Sequence, residues 1–311
     1  MVADSPPLSE LTQAICPVCG ATDPKRRYRL TDFSVLACRS CQQVFLWPLP
    51  SPEKIREMFS QLYTSGAGSV PELKSYYAFT YEDSPSNPLV QLYETWLDRI
   101  ERHRSPGRLL DIGCGTGLFL AVARRRGWEP FGIDESAEAT SHARDHFGLD
   151  VWVGEFSAFA AEDRQFDAIT GWDIIEHARD PVRLLRAIQR SLAPGAICGL
   201  STPNERNILD PIAGTLYRLT AGRLKVPLEK FYIEQHFLYF SPKTLAQALT
   251  QACLELVQLE REETDLRRLT LAPPMRLVLR GLFAVARVRG LENRLFALAR
   301  ASERQSQQPT H

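Results

Sequence analysis

The chain has 311 residues, 44% of them hydrophobic, enough to bury a core in one large domain with attachments or in two domains, which excludes disorder over most of its length. Lysine plus arginine equals aspartate plus glutamate at 37 each, so no global field draws the protein to nucleic acid or an anionic membrane; such a partner would need a local patch. The start, MVADSPPLSE, has no basic segment followed by an apolar one, and no run of eighteen apolar residues occurs, so a cytoplasmic location is expected.

Four of the seven cysteines, Cys16, Cys19, Cys38 and Cys41, form two Cys-x-x-Cys pairs separated by eighteen residues, within the spacing of a four-cysteine zinc ribbon. About fifty residues cannot bury a sufficient core alone, and structural zinc contributes roughly 10–16 kcal/mol of apparent binding energy in its place. Four thiolates leave no position for water, so the predicted metal is structural, and two matched pairs argue against a redox role. The module is expected over residues 1–50 and closes at Trp47-Pro48-Leu49-Pro50. Cys114, Cys198 and Cys253 sit in apolar or glycine-rich surroundings and are read as small buried hydrophobes.

Ser51 before Pro52 predicts an N-cap with proline at the first helical position and a helix to about Leu62. Residues 64–88 are rich in Gly, Ser, Pro and Tyr, a mobile composition. A helix over roughly 89–103 then aligns Leu89, Leu92, Trp96 and Ile100, so 51–105 reads as a helical linker or lid. From Arg108 strands and helices alternate: strands at 108–112, 130–133, 150–153, 166–170 and 196–201, and helices at about 118–126, 136–147 and 181–192. This alternation predicts an α/β fold, a parallel sheet with helices on both faces. A long insertion over 205–240, a helix from the Ser241-Pro242 cap, a strand near 254–259, a basic amphipathic helix at 274–290 and a short apolar run at 295–299 follow. Residues 302–311 read as a disordered tail.

The run Leu109-Leu110-Asp111-Ile112-Gly113-Cys114-Gly115-Thr116-Gly117 ends a strand and opens a helix. Its spacing is GxGxG, and Leu118 occupies the place of the third glycine in a dinucleotide-binding loop. Asp111 would repel a pyrophosphate but can accept hydrogen bonds from an ammonium group. At the next strand end, Asp134, about twenty residues on and beside Glu135, can take the hydroxyls of a ribose. After the third strand, Glu155 and Phe156 offer an acidic and an aromatic contact to a base. Three strand ends thus supply groups for amine, ribose and base.

These residues resemble class I S-adenosylmethionine-dependent methyltransferases over about 106–262 plus the terminal run. Asp111, Gly113, Gly115 and Gly117 match the family's first motif and Asp134 its ribose acid; where this chain has Glu155 the family more often has Asp. The resemblance implies a Rossmann-like seven-stranded methyltransferase sheet over 106–301, its last strand antiparallel at Leu295 to Ala299. It also implies S-adenosylmethionine as the cofactor, with Cys114, Trp172 and Asp173 beside the loop.

The stretch Phe166-Asp167 to Glu176-His177, followed by Asp180-Pro181, is similar to small-molecule methyltransferases related to the ubiquinone-pathway O-methyltransferases. Their E-x-x-E-H arrangement has been linked to a divalent metal. The matching trio here is Asp173, Glu176 and His177, with Asp replacing the first Glu, which makes a Mg²⁺ site an expectation. His177 is the first candidate base, with Glu176 beside it; His236, in the Glu234 to Pro242 segment that resembles the acceptor side of the same relatives, is the second. The alternative for either histidine is to tie a loop to backbone.

The expected reaction is an in-line methyl displacement onto a small-molecule, sugar or lipid-linked acceptor, at oxygen, with a histidine removing the acceptor proton. The insertion and the tyrosines Tyr63, Tyr76, Tyr77 and Tyr81 would cover it. An RNA or protein methyltransferase that uses the ribbon for recognition is the rival, supported by Lys25-Arg26-Arg27. Against it stand the neutral net charge and the sequence Gly171-Trp172-Asp173-Ile174, where base-amino methyltransferases carry an Asn/Asp-Pro-Pro-aromatic motif. Similar cysteine clusters followed by a P-x-P segment occur in methyltransferases of sugar and natural-product pathways. A non-enzymatic cofactor sensor or scaffold is a third reading. The 274–290 helix, with Arg276, Arg280, Arg287 and Arg289 and no acid, either packs its apolar stripe on the sheet or lies on an anionic membrane.

Overall fold

A computed structural model describes residues 13–51, 53–55, 78–160 and 164–302. The sequence expectations for the body of the 51–62 helix, for Tyr63, Tyr76 and Tyr77, and for the tail beyond residue 302 lie outside the described residues.

The N-terminal segment forms an antiparallel meander, β1 (Pro24–Arg29), β2 (Ser34–Cys38) and β3 (Val44–Trp47), with the first cysteine pair before β1 and the second at the end of β2 (Cys38) and in the turn to β3 (Cys41). Helix α1 (Pro88–Glu101) follows. Asn87 caps it by accepting from the Leu89 N–H, and the helix buries Leu89, Tyr93, Trp96, Leu97 and Ile100. It is the predicted helix, begun one residue earlier.

The main sheet then builds as β4 (Arg108–Ile112), α2 (Leu118–Arg125), β5 (Glu129–Asp134), α3 (Ala137–Phe147), β6 (Asp150–Val153), the single turn α4 (Phe156–Phe159) and β7 (Phe166–Trp172). After a 3₁₀ turn at Ile175–His177 come α5 (Pro181–Ser191) and β8 (Leu192–Pro203). The insertion folds as α6 (Leu209–Leu219), α7 (Val226–Glu229) and the short strand β9 (Leu238–Tyr239). The chain closes with α8 (Pro242–Gln251), β10 (Leu254–Glu262), α9 (Pro273–Arg289) and β11 (Arg294–Ala301).

Seven strands hydrogen-bond in the order β10-β11-β8-β7-β4-β5-β6. The pairs from β6 to β8 are parallel, and β11 runs antiparallel to both β8 and β10. The expected seven-stranded sheet with a reversed last strand is therefore present. Its parallel strands are nearly continuous apolar runs because helices cover both faces; Leu109, Leu110, Ala168, Ile169 and Cys198 are all fully buried. Strand order reverses about β4, so the crevice beyond the carboxyl ends of β4, β5 and β7 is the natural place for a ligand.

The cysteine meander is not a free-standing appendage. Strand β3 pairs with β9, so one four-stranded sheet runs β1-β2-β3-β9, and the Leu46 N–H donates to the Phe237 carbonyl at 2.9 Å. Tyr28, Leu30, Val35 and Val44 of the meander share a core with Ala213, Leu228, Tyr232 and Tyr239 of the insertion. The Arg27 guanidinium pairs with Glu205 and Asp210, and Thr31 donates to Glu229. Part of the 205–240 insertion is thus spent on holding the N-terminal module.

Candidate active site

The glycine run at the end of β4 turns through three left-handed residues, Gly113 (φ 74°), Gly115 (φ 51°) and Gly117 (φ 85°). Two of them are also sterically required. A Cβ at position 113 would lie 2.6 Å from Ile174, and one at 117 would lie 2.7 Å from Leu149. The turn is latched to the next strand: the Gly113 and Cys114 N–H groups both donate to the Ile133 carbonyl, and the Gly115 N–H donates to Asp134 Oδ2 at 2.8 Å. Asp134 Oδ1 accepts from the Ser136 N–H at 2.8 Å, so the carboxylate holds the loops after β4 and β5 together.

Asp111 is buried under the turn and accepts from the Thr170 hydroxyl at 2.6 Å. Burial pushes its carboxyl up to about 8; the Thr170 bond works against this and nearby Asp134 adds to it. Burial raises Asp134 as well, opposed by its two backbone donors. A buried acid and a half-buried one, both held by desolvation above the usual carboxylate range, form a receptor for positive charge.

A single cleft of about 1890 Å³ gathers the predicted donor-side residues Asp111, Gly113, Cys114, Gly115, Asp134 and Glu135. Glu155, Phe156, Trp172, Asp173, His177 and His236 line it too. Glu155 reaches only the rim, exposed and hydrogen-bonded to Ser157. Gly117 and Glu176 lie behind the wall, Gly117 as the start of α2 and Glu176 fully buried. Trp172 clusters with Trp96 (ring centroids 4.3 Å apart, tilted) and Phe296 (6.0 Å, stacked), and its buried indole N–H has no acceptor among the described residues.

On the acceptor side the expected Asp173/Glu176/His177 trio does not assemble. Asp173, itself in a left-handed conformation (φ 57°), is engaged by Arg294 and accepts from the Ser201 hydroxyl at 2.9 Å. Instead Glu176, His177 and His236 bring ligand atoms within 4.8 Å of one another. Burial pushes Glu176 up to about 8, with Asp173 adding to it, which favours the neutral acid; Thr202 donates to its Oε2 at 2.9 Å. Two imidazoles and a carboxylic acid do not fit Mg²⁺, which takes oxygen ligands.

The two histidines are placed differently. His177 Nδ1 lies 2.6 Å from the Gln235 carbonyl, and the Asp173 carbonyl also faces its ring. A carbonyl only accepts, so His177 serves as the donor that ties the turn after β7 to the segment before β9. His236 packs edge-on against His177 at 4.9 Å on the cleft wall. Burial, and next to it the neighbouring His177, hold it well below the usual histidine range, so its imidazole is neutral. The Phe237 N–H donates to the Glu176 carbonyl, which fixes this wall to the sheet edge.

Sequence reasoning missed Thr170, Arg268, Arg294 and the Gln235 carbonyl. Arg294 lies 121 residues from Asp173, and a backbone carbonyl has no sequence signature, so nothing local marks either. Arg268, buried in the 3₁₀ turn Leu266–Arg268, and Arg294 both line the cleft.

In the N-terminal module all four cysteine Sγ atoms lie within 4.8 Å of one another. The cross pairs Cys16–Cys41 and Cys19–Cys38 are each 3.5 Å apart, and all four thiols are free of disulfides. A tetrahedron with bonds of about 2.3 Å has edges of about 3.8 Å, so the set fits a four-sulfur zinc site with small adjustment.

Strand order, the reversed last strand and the acid-flanked glycine turn define a class I methyltransferase fold. The profile of a family described as "Methyltransferase domain" matches residues 89–259. The chain belongs to that family. Among curated proteins it is 37% identical over 130 residues to a ubiquinone biosynthesis O-methyltransferase of Xanthomonas campestris pv. campestris, a match that takes in 39% of this chain and 54% of that one. A protein of the same name from Hahella chejuensis is 36% identical over 148 residues, 44% of this chain and 62% of that one. The chain thus spans about half the length of the curated relatives it matches. Among solved structures it is similar to magnesium protoporphyrin IX methyltransferase from Synechocystis with bound SAH, at a TM-score of 0.51 and 12% identity over 81% of this chain and all of that one. It is similar also to the [4+2]-cyclase SpnF, at 0.52 and 19% over 82% and 98%. Those two likenesses speak to the fold alone, and one of them is titled a cyclase.

Proposed function

We propose that the protein transfers the methyl group of S-adenosylmethionine to a hydroxyl oxygen of a small-molecule acceptor. The observation that carries this reading is that one cleft is lined both by buried Asp111 and half-buried Asp134 at the glycine turn and by the neutral imidazole of His236. In this reading the ammonium of the donor goes to Asp111, its ribose to Asp134, and its base toward Glu155 and Phe156. The similarity to proteins named ubiquinone biosynthesis O-methyltransferases supports oxygen as the accepting atom.

The sulfonium is already a good leaving group, so the cleft has chiefly to align acceptor oxygen, methyl and sulfur, an effect that can supply about 7–11 kcal/mol. A base adds about 10²–10⁴-fold for a hydroxyl acceptor. Of the two predicted histidines we assign that role to His236, because the Gln235 carbonyl takes the Nδ1–H of His177 and holds that ring as a strut between two segments. We further assign a structural zinc to Cys16, Cys19, Cys38 and Cys41. The ion pairs of Arg27 with Glu205 and Asp210 take up one member of the basic run that favoured a nucleic-acid partner.

The test is transfer of labelled methyl to a panel of phenolic, glycan and lipid-linked acceptors, followed by His236→Ala and His177→Ala on the accepted substrate. A loss of about 10²–10⁴-fold in kcat for His236→Ala is expected. Unchanged turnover in that variant would remove the base assignment.

A further inference from the structure

The large apolar side chains most exposed among the described residues gather on two elements beside the cleft. Helix α9 buries only Phe283 and Ala286. Its opposite face is apolar as well: Leu277, Ala284, Val285 and Val288 fall at i, i+7, i+8 and i+11, one stripe of an α-helix. Leu277 is 71% exposed and Val288 84%. Arg280, Arg287 and Arg289 are exposed alongside them, and no acid lies between Pro273 and Arg289.

On the insertion, Leu219 is 79% exposed, and Leu224 and Val226 are exposed with it. Arg218 and Arg223 stand among them. The two patches belong to one entrance: Ile212, Leu216 and Val226 of the insertion and Met275 of α9 are exposed and also line the cleft, so they form its rim. Residues 211–230 and 271–290 together hold eight basic residues and one acid, Glu229, which is committed to Thr31, in a chain of zero formal net charge; of the eight, Arg287 is paired with Glu263 at 2.7 Å.

We propose that α9 and the insertion form a docking face for an anionic lipid bilayer, against which the cleft opens to take a lipid-linked acceptor. The proposal rests on the methyltransferase reading for the acceptor, but not for the docking itself. An apolar stripe flanked by arginines is the pattern of a helix lying in the interface, where the guanidinium groups reach back to the headgroups. No described helix is long and apolar enough to cross a membrane, so the contact is in-plane. A second copy of the chain is the poorer occupant, because a two-fold contact would set this cationic surface against itself.

The experiment floats the full-length protein with vesicles of phosphatidylcholine alone and of phosphatidylcholine mixed with phosphatidylglycerol, at low and high salt. Binding to the mixed vesicles is expected, weakening with salt and by about fivefold for each basic residue of the face replaced by Gln. The double variant Leu277→Glu/Val288→Glu, whose side chains lie outside the cleft lining, should bind vesicles at least about tenfold more weakly. It should keep its affinity for S-adenosylhomocysteine in calorimetry. Absence of vesicle binding in the parent, equal binding in the double variant, or a dimer in light scattering that the double variant splits would each overturn the proposal. Donor binding without vesicle binding removes the docking face alone. Vesicle binding without donor binding leaves the face and removes the catalytic reading.

Discussion

Replacing Asp134 by Asn keeps the size of the side chain but takes away one of its two acceptor oxygens. In the parent, Oδ2 accepts from the Gly115 N–H and Oδ1 from the Ser136 N–H, each at 2.8 Å. The amide nitrogen of Asn must therefore face one backbone N–H, donor against donor, inside a buried turn. A hydrogen bond to a charged group is worth about 1.5–3 kcal/mol, and the ribose loses an acceptor at the same atom. Since 1.4 kcal/mol is a factor of ten, affinity for S-adenosylmethionine and S-adenosylhomocysteine should fall by about ten- to a hundredfold. Isothermal titration of both ligands, with circular dichroism to establish that the variant is folded, measures this directly. If folded Asp134→Asn bound S-adenosylhomocysteine within twofold of the parent, the donor-wall assignment would be wrong.

Burial raises Asp111 to about 8, far above the unfolded carboxylate range, so the ligand-free protein should lose stability as pH rises from about 4 to about 8. A cationic donor favours the charged carboxylate; its affinity should rise with pH below 8, with proton release visible as buffer-dependent heat in calorimetry, and a flat profile would contradict the pairing. Gly113→Ala forces a left-handed Ala onto Ile174 and should cost about 1–2 kcal/mol for the backbone and about 1–3 kcal/mol for the crowding, read as a lowered Tm. Cys38→Ser should lower bound zinc, measured by elemental analysis of the purified protein. Because β3 pairs with β9, it should also speed hydrogen exchange at Leu238 and Tyr239; a variant that retained full zinc would refute the four-sulfur assignment.

The alternating pattern from Arg108 onward specified the strands and helices of the main sheet almost to their ends, since each element is decided by local periodicity, caps and turn glycines. Ser241-Pro242 shows this: Ser241 caps α8, sharing a capping box with Thr244, and Pro242 opens its first turn. The cysteine pairs, which meet in one cluster, and the acid-flanked glycine turn, which lines the cleft, were legible for the same reason, each being a short motif. What only tertiary structure decided were the pairings between distant segments. The role of Asp173 went from a metal trio to Arg294, at the other end of the chain. His177 became a strut because its turn folds beneath the Gln235 carbonyl, leaving His236 the neutral imidazole of the cleft. The cysteine module joined the insertion through β9. Residues on one helix or turn meet at spacings dictated by backbone geometry, whereas partners across the sheet edge meet only after the core has packed, and that distance leaves no local pattern.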